Sequence, residues 1–156
     1  MNPRAIFLAA VAAGLVLGSL TFADAAENLV AQRQANFKQQ GGAFKAVTEE
    51  LRKASPDKAS VATQASRLKA LASQLPGWFP SGSGPGAGVK TAAKPAIWSD
   101  QAGFAAAAEK FRTETVKLDE LSGDGDFARA RLQARAVGDA CKSCHMKYRS
   151  MSIFGG

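Results

Sequence analysis

The pentapeptide Cys141-Lys142-Ser143-Cys144-His145 constrains this chain more than any other segment. It contains both cysteines and the single histidine of the 156 residues. Positions i and i+3 lie on the same face of a helix, so the two thiols can meet one edge of a planar group. The imidazole that follows is then placed to coordinate a metal at the centre of that group. This C-x-x-C-H spacing is typical of the covalent attachment of a c-type haem.

Three other uses of the two cysteines explain less of the pentapeptide. A thioredoxin-like redox pair belongs to a βαβ context, and no strand pattern surrounds this one. A structural zinc site needs a second pair of ligands, and the chain has no further Cys or His. A disulfide between Cys141 and Cys144 would leave His145 without a role. The sequence therefore predicts thioether bonds from Cys141 and Cys144 to one haem c, with His145 as the axial iron ligand.

The first 25 residues have the pattern of a secretory signal peptide. Arg4 supplies the positive start, an apolar run follows over residues 5–20, and Ala23-Asp24-Ala25 forms an A-x-A-like cleavage site. An uncleaved anchor is the alternative, although the run is short for a membrane span. We expect a signal peptide at 1–25, one domain at 26–156 and a periplasmic location, because bacteria attach c-type haem outside the cytoplasm.

The net charge of +7 at pH 7 has two interpretations, an acidic partner surface or a nucleic acid. The Lys and Arg residues are scattered along the predicted helices, without a dense run or interleaved aromatic residues. This distribution indicates a solvated basic surface with a bias towards acidic partner proteins, and it predicts no nucleic-acid partner.

The spacing of apolar residues predicts four long helices and no strand. The first is expected over about 27–53, and the second begins at Ser55-Pro56-Asp57 with Ser55 as its N-cap. The third begins at Ser99-Asp100, and the fourth follows a cap at Asp124 or Asp126. The seam of the last helix continues into the haem-binding cysteines: Ala130, Ala134, Val137, Cys141, Cys144 and Tyr148. The chain is predicted to be all-α, an antiparallel four-helix bundle with covalent haem c near its C-terminus.

Two stretches depart from regular helix. The connection at 76–98 is rich in Pro and Gly, so we expect no regular structure there, with Trp78-Phe79 and Ile97-Trp98 anchoring its ends and a mobile middle at 81–88. Gly41-Gly42 lies inside the first helix, where each Gly costs about 1 kcal/mol relative to Ala. The pair indicates either a close approach to the haem or a partner helix, or a kink or break.

Three segments in order resemble the class II c-type cytochromes, the cytochrome c′ family. Residues 33–37, Arg-Gln-Ala-Asn-Phe, resemble the family's first-helix segment that ends at the sixth-ligand position. Residues 95–98, Pro-Ala-Ile-Trp, resemble its Pro-x-Ile-Trp segment. Residues 141–145, with Tyr148-Arg149 behind them, match its haem-binding end. The resemblance covers the chain after the signal peptide and implies a homodimer through the first two helices.

The resemblance implies that one residue separates two functional branches of the family. In one branch a Met on the first helix is the sixth iron ligand, and the protein carries electrons. In the cytochrome c′ branch that residue does not ligate, and the five-coordinate iron binds nitric oxide and carbon monoxide. Phe37 stands at this position, and a phenyl ring has no lone pair for iron. The resemblance thus implies gas binding, with sequestration or carriage of nitric oxide as its role.

No other side chain is a ready sixth ligand. The methionines are Met1, Met146 and Met151; the first leaves with the signal peptide, and the other two lie on the side of His145. Lys38 or Lys45 would have to lose a proton first, and we expect neither on the apolar seam. A peroxidase-like enzyme needs a second acid–base group over the iron, so an enzyme is not predicted. Electron transfer to a partner protein remains the alternative.

Two arginines have roles that the resemblance leaves open. Arg33, one turn before Phe37, either pairs with a haem propionate or is a solvent-facing charge. Arg149 matches the family residue near nitric oxide bound on the proximal side, where that gas can displace the His. The alternative is that Arg149 is an ordinary cation at the C-terminus of a helix.

Overall fold

The computed structural model describes residues 9–86 and 89–150, with side-chain surroundings from residue 24 onward. Met1, Met151 and the apolar tail after it lie outside the described residues. The helices of the described part are α1 (Ala9–Arg52), α2 (Lys58–Gln74), α3 (Ala96–Ser99), α4 (Gln101–Asp124) and α5 (Phe127–Tyr148). No strand is formed within this part of the chain, apart from an isolated bridge between Ala93 and Arg149. The predicted all-α class is confirmed.

The four long helices α1, α2, α4 and α5 form the bundle. α2 packs against α1 and α4, and α4 packs against α5, whereas α1 and α5 make much slighter contact with each other. Where the helices meet, the core is closed: Val47, Leu51, Leu68, Leu118 and Val137 are at most 2% exposed. Burying these side chains drives the packing of the amphipathic faces.

α1 begins earlier than predicted, at Ala9, and therefore extends into the segment expected to be a signal peptide. Residues 9–20 are mostly Ala and Leu or other apolar residues without Pro, which favours a continuous helix. No described helix has both the length and the apolar character needed to cross a membrane.

The helix is also unbroken at Gly41 and Gly42. A Cβ added at either glycine would meet no atom within 4 Å. The predicted break is therefore wrong, and no helix among the described residues makes the predicted close approach. An approach to the haem stays a prediction.

The helix starts are fixed by aspartates. Asp57, not Ser55, caps α2, since its carboxylate accepts a hydrogen bond from the Ser60 amide at 2.6 Å. The prediction of Ser55 was wrong because Glu50 of α1 accepts the Asp57 N–H at 2.9 Å and holds this residue at the helix entrance. Asp126 caps α5, which settles the choice left open with Asp124.

The connection between α2 and α4 is more ordered than predicted. It contains a 3₁₀ turn over Leu75–Trp78 as well as α3. Trp78 and Ile97 are buried, as predicted for its anchors. Ser83, in the segment expected to be mobile, is fully buried because it receives hydrogen bonds from α1.

Candidate haem-binding site

A cavity of about 610 Å³ lies where α1 and α5 diverge, with α4 behind it. The six predicted site residues all line this cavity: Arg33, Phe37, Cys141, Cys144, His145 and Arg149. Most of the other lining residues are apolar or aromatic: Phe44, Leu75, Phe79, Ala92, Ala93, Ile97, Phe104, Ala107, Ala108, Phe111, Ala140 and Tyr148. The fold thus brings residues more than 100 positions apart in sequence to one site.

The residues present fit a covalently attached haem. The volume falls in the range of roughly 300–1,000 Å³ that is typical of ligand and cofactor pockets. Hydrocarbon walls suit the faces of a porphyrin, and two thiols one helical turn apart suit one of its edges. In contrast, no three His, Cys, Asp or Glu side chains in the described ranges lie close enough to hold a bare metal ion.

The surroundings favour the uncharged forms of the two thiols and the imidazole, as the directions of their pKa shifts show. Burial, and secondly the neighbouring Cys144, raises the pKa of Cys141 to about 11. A thioredoxin-like pair needs a lowered thiol pKa, so this environment disfavours that alternative. Burial, and secondly the positive charge of Arg149, lowers the pKa of His145. A neutral imidazole keeps a lone pair that a metal can accept.

Phe37 belongs to a continuous set of edge-on aromatic contacts in the cavity wall. Its ring centroid lies 5.0 Å from that of Trp78 and 6.0 Å from that of Phe79. Phe79 in turn contacts Phe104 at 4.9 Å, and Phe104 contacts Tyr148 at 5.3 Å. Phe37 therefore fills the core and covers the cavity on the α1 side at once.

Arg33 is only 4% exposed, so the alternative of a solvent-facing charge is wrong. Its guanidinium donates to Ser83 Oγ at 2.9 Å, to Ser83 O at 3.0 Å and to Thr91 Oγ1 at 2.9 Å. The same group lies over the Phe79 ring, 4.8 Å from its centroid. Burial lowers the pKa of Arg33, yet a guanidinium stays charged in proteins. The charged guanidinium of Arg33 thus holds the 76–98 connection against α1, beside the cavity.

The end of α5 is fastened to the same connection. The Lys94 N–H donates to Tyr148 O at 2.9 Å, and the Ser150 N–H donates to Ala92 O at 2.8 Å. Arg149 is the C-cap residue, and its N–H donates to His145 O at 3.0 Å. The bonds to Tyr148 O and His145 O satisfy carbonyls that a helix end otherwise leaves without partners. They also fix the turn that follows His145.

Asp100 joins the start of α4 to the end of α5. Its carboxylate accepts from the Tyr148 hydroxyl at 2.8 Å, from Lys147 Nζ at 2.7 Å and from the Gly103 N–H at 3.1 Å. A Cβ at Gly103 would collide with this carboxylate and with the Tyr148 hydroxyl, so the position requires glycine. The sequence identified Asp100 only as a helix start, because nothing in its spacing indicates a partner 48 residues away.

An acid titration tests this link. Lys147 first, then Tyr148 and Gly103, lower the pKa of Asp100. The carboxylate therefore contributes stability above the ordinary Asp pKa of about 3.9, and this is lost as the pH falls through the lower pKa of the folded state. We expect Asp100→Asn to cost most near neutral pH and progressively less below about pH 4.

The measurement is the free energy of unfolding of wild type and Asp100→Asn between about pH 6 and pH 3. Tyr148→Phe is the matched control, because it removes one donor and keeps the titrating carboxylate. A difference between wild type and Asp100→Asn that is independent of pH would contradict the prediction.

The alternative lysine ligands occupy different places. Lys45 is outside the cavity and lies 3.7 Å from Glu49 in an exposed ion pair. Lys38 is exposed, in keeping with the expectation that it lies off the apolar seam, yet it also lines the cavity. Met146 is 58% exposed on the outer face of α5 and does not line the cavity.

Comparison with known proteins identifies the family. The model of the cytochrome c′ family matches residues 28–149, which include every helix except the start of α1. The chain belongs to the cytochrome c′ family. Members of this family are haem-binding proteins that carry haem c covalently, and Cys141 and Cys144 are the only cysteines available here.

Individual relatives match most of the chain. A cytochrome c′ of Rhodopseudomonas palustris is 35% identical over 148 residues, covering 90% of this chain and 94% of that protein. One of Rubrivivax gelatinosus is 44% identical over 94 residues, 60% of this chain and 72% of the relative. The crystal structure of the Rubrivivax gelatinosus cytochrome c′ superposes with a TM-score of 0.73 at 33% identity, covering 80% of this chain and 97% of that one. These likenesses confirm the four-helix bundle.

Proposed function

We propose that this member of the cytochrome c′ family is a periplasmic protein with a five-coordinate, high-spin haem that binds nitric oxide and carbon monoxide and sequesters or carries nitric oxide. Thioether bonds to Cys141 and Cys144 hold the haem, and His145 is the axial ligand. The observation that carries the proposal is Phe37, which lines the α1 side of the same cavity without a donor atom. An iron with one protein ligand leaves a coordination position for a small gas.

The other side chains of the cavity support this role by binding and by excluding water. Arg33 lies beside the cavity with its charge partly satisfied by Ser83 and Thr91, and we propose that it also pairs with a haem propionate. The aromatic wall around Phe37 disfavours anions and water, so small uncharged ligands are preferred. Arg149 lines the side that carries His145, where we propose that it stabilises a ligand bound in place of the imidazole.

Solved relatives provide a precedent for the gas. A ferrous variant of the Alcaligenes xylosoxidans cytochrome c′ has been solved with bound nitric oxide, and it superposes on this chain with a TM-score of 0.73 at 28% identity. Haem supplies a redox-active iron whose open position accepts such ligands. Further, a relative with 27% identity is described as showing ligand-controlled dimer dissociation, which supports our proposal that this chain forms a homodimer.

Absorption spectroscopy of the purified, reduced protein tests the proposal. We expect a broad high-spin spectrum that sharpens when carbon monoxide or nitric oxide is added. Lys38→Ala is the control, since Lys38 is the alternative lysine ligand that lines the cavity, and its replacement should leave the spectrum unchanged. A sharp low-spin spectrum without added gas would contradict five-coordination. The intact mass of the same sample reports the covalent haem and whether the exported chain starts at Ala26.

A second candidate function is electron transfer. Exposed basic residues surround the end of α5 that carries the attachment motif, namely Lys142, Lys147 and Arg149, and exposed Met146 lies among them. Such a surface would steer an acidic redox partner towards the haem. The reduced spectrum separates the two functions, because an electron carrier of this fold would be low-spin before any gas is added.

A further inference from the structure

Thr91 and Ser83 both accept hydrogen bonds from the buried guanidinium of Arg33, but their hydroxyl groups differ in what they donate to. Ser83 is fully buried, and its hydroxyl donates to Pro80 O at 2.8 Å. Thr91 Oγ1 accepts from Arg33 Nη2 at 2.9 Å and from the Ala93 N–H at 3.2 Å. A hydroxyl group has two lone pairs and one proton to donate. Both lone pairs of Thr91 are therefore used, whereas its proton has no acceptor among the described residues.

Only one of these two residues reaches the cavity. Thr91 is half-buried and lines the cavity together with Arg33 and His145, whereas Ser83 does not line it. The proton on Thr91 Oγ1 must point away from the two N–H groups that already donate to this oxygen. Its acceptor is therefore either water or the group that occupies the cavity.

The group beside Thr91 is a buried cation without an anion. Arg33 is 4% exposed, and its three acceptors are neutral oxygen atoms: Ser83 Oγ, Ser83 O and Thr91 Oγ1. No carboxylate of the described residues forms an ion pair with it. Because a buried charge is costly unless it is paired, an anion in the cavity would stabilise this guanidinium. The propionates are the anions that a haem brings to such a site.

The guanidinium of Arg33 also determines where that anion lies. Nη1 and Nη2 donate to Oγ and O of Ser83, which uses the outer edge of the guanidinium fork. The second hydrogen of Nη2 donates to Thr91 and is parallel to the Nε–H, so the acceptors of these two hydrogens are neighbours. The Nε–H has no acceptor among the described residues. A carboxylate oxygen that accepts the Nε–H would therefore lie beside the Thr91 hydroxyl.

We propose that the Thr91 hydroxyl and the Arg33 Nε–H together bind one haem propionate. This inference rests on the pairing of Arg33 with a propionate under the proposed function, and it adds a second binding residue to that pairing. A bidentate pairing through Nη1 and Nη2 is not available, because Ser83 occupies that edge. The Thr91 proton supplies the second donor instead, and a hydrogen bond from a hydroxyl to a carboxylate is short and strong. Thr91 thereby ties the haem to the 76–98 connection.

Resonance Raman spectroscopy of the haem-loaded protein tests this contact. The bending mode of a haem propionate rises in frequency as its hydrogen bonds strengthen. We expect Thr91→Val to shift this band to lower wavenumber, because the change keeps the shape of the side chain and removes the hydroxyl. Thr91→Ser keeps the hydroxyl and should retain the band of the wild type. Ser83→Ala is the matched control, since it removes an acceptor of Arg33 that does not line the cavity, and it should leave the band unchanged.

A crystal structure of the haem-loaded wild type gives a second test that does not depend on the folding of a variant. We expect propionate oxygens within about 3.2 Å of both Thr91 Oγ1 and Arg33 Nε. A propionate on Arg33 alone, or equal band shifts for Thr91→Val and Ser83→Ala, would overturn this inference and leave the pairing with Arg33 standing. Propionates bound only by other residues, such as the exposed Lys38, would overturn both. Gas binding is tested separately, because the carbon monoxide spectrum reports the iron and not the propionate.

Discussion

A Phe37→Met variant is expected to convert the haem from five-coordinate and high-spin to six-coordinate and low-spin. Phe37 lines the cavity from α1, whereas His145 lines it from α5. A thioether at this position offers the iron a lone pair that the phenyl ring lacks. Ligation by His and Met is a well-established pair for c-type haem and raises its reduction potential.

The size of the effect follows from competition between the introduced thioether and the gas for one coordination position. If the thioether is bound in about 99 of 100 molecules, the apparent affinity for carbon monoxide falls about 100-fold. Optical titration of the reduced protein with carbon monoxide measures this affinity, and the absorption spectrum reports the spin state.

Phe37→Leu is the matched control. It removes the same aromatic contacts to Trp78 and Phe79 but supplies no donor atom. We therefore expect it to stay high-spin and to bind carbon monoxide at least as well as wild type. A high-spin spectrum for both variants would show that this position does not face the iron.

Replacement of Arg33 by Leu is expected to cost about 2–4 kcal/mol of unfolding free energy. The change removes three hydrogen bonds from one nearly buried guanidinium and leaves the acceptors on Ser83 and Thr91 without their donor. It also removes the cation from the face of Phe79. Because these contacts fasten the 76–98 connection to α1, the variant should lose order around the cavity as well as stability.

Guanidinium unfolding of the haem-loaded protein, followed by helical circular dichroism, measures this cost. Arg33→Lys should recover only part of it, since an ammonium cannot reproduce the fork of a guanidinium. Arg112→Leu is the control, because Arg112 pairs with Glu109 in an exposed contact on one helix, and its replacement should cost far less stability than that of Arg33. Equal losses for Arg33→Leu and Arg112→Leu would contradict the role assigned to Arg33.

The helices and the attachment residues could be predicted because local signals encode them. The seven-residue register of α1 and the three- and four-residue steps of α5 follow directly from helix geometry. The pentapeptide at 141–145 needs no tertiary information, since its spacing alone selects haem attachment. The apolar spacing of α1 predicts only that Phe37 faces the core, and its place beside the haem came from the resemblance to the cytochrome c′ family.

The irregular parts could not be predicted, because their order depends on distant partners. Ser83 lies 50 residues from Arg33, and no periodicity links the two. The bond between Asp100 and Tyr148 likewise depends on how α4 and α5 end.

The edge-on rings from Phe37 to Tyr148 together determine the width of the cavity. Neighbouring rings meet edge-on with their planes inclined by 62–83°, and close packing limits how far one ring can move to refill space vacated by another. Trimming a single aromatic residue should therefore enlarge the cavity rather than let it collapse. Side chains from α1, α4, α5 and the intervening connection therefore jointly set the space that is available to a ligand.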